Sequence, residues 1–241
     1  MQIEGKNPVK EALEGDAKIS KLYVSKTAHD LQSFVYLARA KKITVCFVDR
    51  EELDKMSETQ KHQGLIATAD EFEYCAVDDI VNKAKSCNQP LFMLILDGIE
   101  DPHNLGSIIR VAECCGAHGI VIPNHRAVSV NSTVVKVSAG AISHMLIAQV
   151  TNINDTIRQL KDNFVNVLCA DMDGQCLFES HLDGDLALVI GSEGFGVKQL
   201  TRKLCDGAIS IPQYGKINSL NASVATGVCC FEVVRQRQFK K

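Results

Sequence analysis

The chain has no tryptophan, no Cys-x-x-Cys pair among its ten cysteines, and no excess of either charge, with 26 basic against 29 acidic side chains in 241 residues. Each absence removes a class of function. A net charge of −3 creates no global field for gathering polyanions, so composition by itself does not suggest nucleic acid. Without paired cysteines a zinc site is not expected, and no other metal is called for. The longest purely apolar run, Leu91 to Leu96, falls far short of the ~20 residues that span a bilayer. The first fifteen residues carry Glu4, Lys6, Lys10, Glu11 and Glu14 with no apolar block, so no secretory signal is read and a cytoplasmic location is expected. In that compartment the Asn-x-Ser/Thr triplets at Asn131, Asn154 and Asn221 are idle. Most cysteines sit in apolar stretches such as Val228 to Phe231 and are read as small buried hydrophobes rather than disulfide partners.

What is present is an ordinary globular composition, 46% apolar and 23% charged, arranged as alternating strand and helix patterns. Residues 1–69 read as a small α/β unit. Its first helix is expected from Asn7 as cap, through Pro8 at the first helical position, to Gly15. A strand at Lys21–Ser25, a helix at Asp30–Ala40, a strand at Ile43–Val48, a helix at Arg50–Met56 and a strand at Gly64–Ala69 follow. Residues 70–88 hold five acidic and two basic side chains, beginning at Asp70, and are read as a linker with one weak helical pattern. Residues 89–241 form a longer α/β series. Its strands are expected at Leu91–Ile99, Gly119–Pro123, Val165–Ala170, Ala187–Gly191 and Ala208–Pro212. Helices are expected at Asn104–Cys115, Ser132–Ser138, Thr156–Asn163, Val197–Leu204 and Asn218–Gln236. Strands that are continuously apolar imply a parallel sheet covered on both faces. The stripe Leu220, Val224, Val228 and Phe231 on the last helix would serve a core, an interface or both.

Ligands of open α/β sheets bind beyond the carboxyl ends of the strands, and three of the loops there are unusual. In Asp97 to Arg110 a strand ends in a polar loop, with Asn104 at the mouth of the next helix and Arg110 under two turns further on. Asn104 is read either as a helix cap or as a site residue, and Arg110 either as a surface cation or as part of a site. In Val189 to Val197 the glycines at 191, 194 and 196 do not follow the dinucleotide order, but they suit a tight loop with close backbone approach to a ligand. Glu193 within it is a pocket carboxylate or an exposed turn residue. In Ile209 to Gly227 a helix opens with Asn218, Ser219 and Asn221, polar groups that suit capping and also suit hydrogen bonding to a small ligand.

These three segments, in this order, resemble the SpoU (TrmH-type) family of RNA ribose 2′-O-methyltransferases. The family's N-x-G-x-x-x-R stands as Asn104, Gly106 and Arg110, and its G-S-E-G-x-G loop as Gly191 to Gly196. Its third motif stands as Ile211, Pro212, Gly215 and Ser219 to Ala225. The opening Glu4 to Leu13 is similar to the branch that methylates a guanosine of 23S ribosomal RNA. The resemblance implies a C-terminal trefoil-knotted α/β (SPOUT-type) methyltransferase domain with a mostly parallel sheet, preceded by a small ribosomal-protein-like α/β domain. It implies S-adenosylmethionine as methyl donor, held largely by backbone groups at Gly191, Ile211 and Leu220, and a homodimer with the knot and last helix near its interface. It also implies catalytic roles for Asn104, Arg110, Glu193, Ser219 and Asn221. Gln213 and Ala222 depart mildly from the pattern.

Ribosomal RNA is the expected partner, met in the first domain by Lys6, Lys10, Arg39, Lys41 and Lys42, whose alternative reading is a solvated face. The tail Arg235, Arg237, Lys240 and Lys241 is a further basic group. Three other readings are open: a transfer-RNA ribose methyltransferase, a non-catalytic RNA-binding ribosome-assembly factor, and a Rossmann-type nucleotide-dependent enzyme, against which the missing dinucleotide fingerprint stands.

Overall fold

The computed structural model describes residues 2–14, 19–28, 30–57, 60–69, 72–216 and 219–239. Gly15, Asp70, Asn218, Lys240 and Lys241 lie outside the described residues. The chain forms two compact units, Met1–Glu73 and Tyr74–Lys241.

The first unit contains β1 (Gln2–Glu4), α1 (Lys6–Glu14), β2 (Ile19–Ser25), α2 (Gln32–Ala40), β3 (Thr44–Val48), α3 (Arg50–Met56) and β4 (Leu65–Ala69). Its sheet has the order β1-β4-β2-β3, parallel between β2 and β3 and antiparallel elsewhere. Period-two alternation splits its apolar residues between two faces. Leu22, Val24, Leu65 and Ala67 meet Val9 and Leu13 of α1 and Phe34, Val35 and Ala38 of α2. On the opposite face Ile66 and Val48 meet Leu53 of α3. Helix α1 begins one residue before the expected cap Asn7. Gly5, at φ +90°, offers its carbonyl to the Val9 N–H at 3.1 Å, and the Gln63 side chain accepts the Lys6 N–H at 3.1 Å. With the cap supplied by Gly5 and Gln63, Pro8 still falls in the first turn, where a missing N–H costs little.

The second unit contains α4 (Val77–Ser86), β5 (Phe92–Asp97), α5 (Pro102–Cys114), β6 (Gly119–Pro123), α6 (Ser132–Val137), β7 (Leu146–Val150), α7 (Ile153–Asp162), β8 (Asn166–Cys176), β9 (Leu186–Gly191), α8 (Gln199–Leu204), β10 (Gly207–Ser210) and α9 (Ala222–Gln238). Its sheet runs β10-β8-β9-β5-β6-β7 and every pairing is parallel. All six residues of β5 are buried, as a central strand covered on both faces requires. Met93, Ile95, Val121, Val167 and Val189 pack on one face beneath α4 and α7, while α5 and α9 pack on each other and reach β6 and β9.

The segment read as a linker contributes α4 to this second core. Ile80 and Ala84 are buried, and a Cβ at Gly119 would lie 2.6 Å from Ile80 Cδ1, so the first residue of β6 must be small for the helix to seat. In this unit two strand features had no sequence expectation. Strand β7 forms the sheet edge. Strand β8 continues past Ala170 through polar Asp171 and Asp173, held by Ser210 Oγ donating to Gly174 O at 2.9 Å and by Arg202 pairing with Asp171 at 3.2 Å.

At the amino ends of the strands, polar side chains tie backbone to backbone. The Arg237 guanidinium donates to Pro90 O (3.0 Å), Leu91 O (2.9 Å) and Gly184 O (2.6 Å), and lies 5.3 Å from the Phe92 ring centroid. His118 Nδ1 accepts the Phe92 N–H at 3.0 Å, which leaves the ring neutral with its proton on Nε2, facing Gln89 Oε1 at 3.2 Å. Burial holds the His118 pKa below the ordinary imidazole value. All ten cysteines are free thiols. Cys115, Cys169, Cys229 and Cys230 are buried as hydrophobes, and burial pushes the Cys229 thiol up to about 12. Cys87 and Cys114 are exposed instead, each near a helix end.

Candidate active site

The loops after β5, β9 and β10 leave the same carboxyl edge of the parallel sheet. Helix α5 starts at Pro102, earlier than Asn104, because Asp101 is its cap and accepts the His103 N–H at 3.0 Å. Asn104 is thereby released from capping. Its side chain is buried, Nδ2 donating to Glu193 Oε1 at 3.0 Å and Oδ1 accepting from Asn221 Nδ2 at 2.9 Å. Helix α9 starts at Ala222, later than expected, and Asn221 is its cap: Oδ1 accepts the N–H groups of Ser223 (3.0 Å) and Val224 (3.3 Å) and the Ser223 hydroxyl (2.6 Å). The same Asn221 also donates Nδ2 to Glu193 Oε1, which further accepts the Ala222 N–H at 3.4 Å.

One carboxylate oxygen thus gathers donors from α5 and from the start of α9. Every one of these donors is neutral. Among the described residues no basic side chain pairs with Glu193, and its Oε2 accepts no hydrogen bond. Glu193 and Asn221 are exposed, so the network has a buried anchor, Asn104, and an open carboxylate face. Such an edge can accept a donor from a substrate.

Two motif glycines have packing reasons. A Cβ at Gly106 would lie 2.7 Å from Val137 Cβ and 3.0 Å from Val134 O, so α5 can touch α6 only over glycine. A Cβ at Gly191 would lie 2.0 Å from the Gly196 carbonyl carbon, because residues 192–196 fold back over it. That turn is closed by Ser192 N–H to Gly196 O at 3.1 Å and Gly196 N–H to Ser192 O at 2.9 Å. The close approach expected of a ligand is made here by the loop's own backbone.

Arg110 does not join the network. Six residues beyond Asn104, it stands about 9 Å along α5 and about 120° around it, exposed and with no partner among the described residues. Ser219 and Leu220 lie before α9, and Ser219 makes no hydrogen bond to a described residue. Ile211 follows β10 and is half-buried. Its N–H, and both backbone groups of Leu220, carry no hydrogen bond to a described residue. Ser223, which the sequence groups with Ser219 and Asn221 as polar residues at the start of the helix, braces Asn221, whereas sequence reasoning missed Asp97 with Lys198. Two aromatics in these loops, Phe195 and Tyr214, are each 96% exposed.

The five basic residues expected to meet RNA lie on α1 and at the end of α2. Lys6 pairs with Asp30 and Lys10 with Glu14 at 3.9 Å. Arg39 lies in the last turn of α2, and Lys41 and Lys42 follow it directly. The exposed pairs on Lys6 and Lys10 are weak and would yield to a phosphate.

Two family models match the chain. The SpoU rRNA methylase family covers residues 91–231, and the RNA 2′-O ribose methyltransferase substrate-binding model covers residues 2–75. The chain belongs to the SpoU rRNA methylase family. It is therefore a methyltransferase. Bacillus subtilis YacO, assigned to the TrmH family of tRNA/rRNA methyltransferases, is 45% identical over 98% of this chain and 95% of its own length. The 23S rRNA (guanosine-2′-O-)-methyltransferase RlmB of Ralstonia nicotianae is 39% identical over 97% of this chain and 94% of its own. Among solved structures, the SpoU methyltransferase AviRb of Streptomyces viridochromogenes in complex with AdoMet superposes with a TM-score of 0.77 at 23% identity, covering 100% of this chain and 91% of that one.

Proposed function

We propose that this protein transfers a methyl group from S-adenosylmethionine to the ribose 2′-oxygen of a guanosine in 23S ribosomal RNA. The observation that carries this reading is the junction of Asn104, Glu193 and Asn221, in which side chains from three separate loops meet at the sheet's carboxyl edge with a carboxylate oxygen left open. Relatives that bear this activity in their names, 39–40% identical over nearly their whole length, support the choice of substrate. The substrate-binding model on residues 2–75 supports RNA contact by the first unit.

When bound, S-adenosylmethionine supplies a methyl group already activated on a sulfonium. The protein's work is then chiefly positioning. Gly191, Ile211 and Leu220 would hold the donor, and the free backbone groups of Ile211 and Leu220 suit the polar edge of an adenine. Asn104 fixes Glu193, whose open Oε2 meets a polar edge of the substrate. Ser219 and Asn221 border the ribose near the transferred methyl. Arg110 orients a phosphate of the target and stabilises charge developing on the 2′-oxygen, while the proton leaves to phosphate or water. Arg110→Lys is expected to lose most activity at every pH. Near-wild-type activity with a shifted optimum would contradict this role.

A homodimer and a knotted C-terminal region belong to the same reading. Helix α9 buries Ala222, Thr226, Cys229, Cys230 and Val233 against its own unit. Of the stripe read as serving a core, an interface or both, Leu220 is 38%, Val224 52% and Phe231 56% exposed, a surface suited to a second copy. No helix of the described residues is long and apolar enough to cross a membrane. Action on ribosomal RNA supports a cytoplasmic location.

The test is transfer of labelled methyl to unmodified large-subunit ribosomal RNA and to transfer RNA, with the labelled nucleotide mapped. Label on a guanosine ribose of 23S RNA is expected. Label in transfer RNA alone would keep the chemistry and overturn the substrate.

A further inference from the structure

Strand β5 is apolar until its last residue, Asp97, whose carboxylate is fully buried. A charge removed from water at the end of an apolar strand is costly unless its oxygens are paired. Both are paired with one residue: Oδ2 accepts the Lys198 N–H at 3.0 Å and Oδ1 accepts Lys198 Nζ at 2.7 Å. Lys198 lies just beyond the turn that carries Glu193. The other stem of that turn, Gly191, stands in register with Asp97 across β5 and β9. Asp97 therefore anchors the Lys198 end of residues 192–197 and lies beside their Gly191 end, and the turn between them is closed by its two Ser192–Gly196 hydrogen bonds. Gly98, at φ +82°, completes the seat: a Cβ there would lie 4.0 Å from Ser192 Cβ and 3.7 Å from Lys198 Nζ.

The structure assigns to Asp97 the role of positioning residue for Glu193, setting the carboxylate against Asn104 and Asn221 by anchoring the Lys198 stem of its turn. This rests on the reading of Glu193 as part of the methyl-transfer site. The backbone bond holds the turn itself, whereas the ammonium neutralises the buried Asp97 carboxylate.

The test compares Asp97→Ala, Asp97→Asn and Lys198→Met in the full-length protein, measuring kcat, KM for RNA, donor affinity and hydrogen exchange of the Lys198 amide. Asp97→Ala is expected to lower kcat at least about tenfold, with KM for RNA changed less than about threefold, and to speed exchange at Lys198. Asp97→Asn, which keeps an oxygen for the Lys198 N–H, is expected to recover most of kcat and of the protection, and Lys198→Met, which leaves the buried Asp97 oxygen without its ammonium, to be less stable than wild type while keeping more of kcat and of the amide protection than Asp97→Ala. Should Asp97→Ala fail to fold, the other two variants still decide. An Asp97→Asn protein with slow exchange at Lys198 but kcat reduced about tenfold or more would overturn the proposal, as would an Asp97→Ala protein with unprotected Lys198 and unchanged kcat. If wild type bound donor yet methylated no RNA, the functional reading would fall. The anchoring itself would still be judged by exchange at Lys198 in Asp97→Ala, where unchanged protection overturns it.

Discussion

The two ends of the second unit's sheet both concentrate polar side chains, yet they use them differently. At the amino ends Arg237, His118 and Asp185 bond to backbone: three carbonyls for the guanidinium, the Phe92 N–H for the imidazole, and the Leu91 N–H for the carboxylate at 2.6 Å. At the carboxyl ends Asn104, Glu193 and Asn221 bond to one another, and Glu193 keeps an oxygen free. Side chains bonded chiefly to main chain hold strand ends and a helix in place. Side chains that satisfy each other while leaving an open acceptor hold a shape for something else. Hydrogen-bond partners, more than the number of polar groups, separate a structural lock from a site.

The difference is broken most sharply at Asn221. Asn221→Ser keeps an oxygen to cap α9 but deletes the Nδ2 donor to Asn104 and Glu193. The expected result is a fall in methyl transfer of about 100-fold or more with a melting temperature close to wild type. Equal losses in both would make Asn221 a cap alone.

The opposite behaviour is expected at Arg237. Arg237→Met keeps much of the stem packed but abandons three carbonyls and the face of Phe92, a loss of about 3 kcal/mol in unfolding free energy. Activity per folded molecule should be retained. Denaturant unfolding beside the transfer assay separates the two.

A smaller effect sharpens the same point at His118. Burial lowers its folded pKa below the unfolded value of 6.5, so the stability it contributes is present above that pH and is lost as pH falls below it. His118→Gln, which retains an acceptor for the Phe92 N–H, should flatten this acid-side loss of stability while leaving the neutral-pH fold intact. A wild-type stability curve that did not fall below pH 6.5 more steeply than that of the variant would contradict the assignment. The smallest effect is expected in the first unit, where replacing Arg39, Lys41 and Lys42 with glutamine should weaken RNA binding and reduce its salt dependence. Unchanged binding would return them to a solvated face.

Strands β5 and β6 were legible in the sequence because a continuously apolar run bounded by turn residues has few other readings, and α3 because its ends are marked by polar residues. Strand β1 is three residues long, too short for any period to show. Strand β7 is an edge with partly exposed ends, and its pattern is diluted accordingly. On α9 apolar residues ring the helix, with Val224 and Phe231 facing outward and Cys229, Cys230 and Val233 inward, so periodicity could not choose the buried side. In the site, residue types and loop order were visible. Which polar residue caps which helix was not, because Asp101 and Asn104 are both competent caps and only the three-dimensional meeting with Glu193 separates them. The bond between Asp97 and Lys198 spans 101 positions of sequence and leaves no local signal.

The central claim is that the open network at the carboxyl ends performs methyl transfer, and Asn104→Ala tests it most directly. Asn104 is buried, caps nothing, and meets the network through both ends of its amide. With donor affinity and single-turnover transfer to 23S RNA measured on the same preparation, the account predicts donor binding within about threefold of wild type and transfer slowed by about 100-fold or more. Transfer at the wild-type rate by a folded, donor-binding Asn104→Ala protein would contradict it.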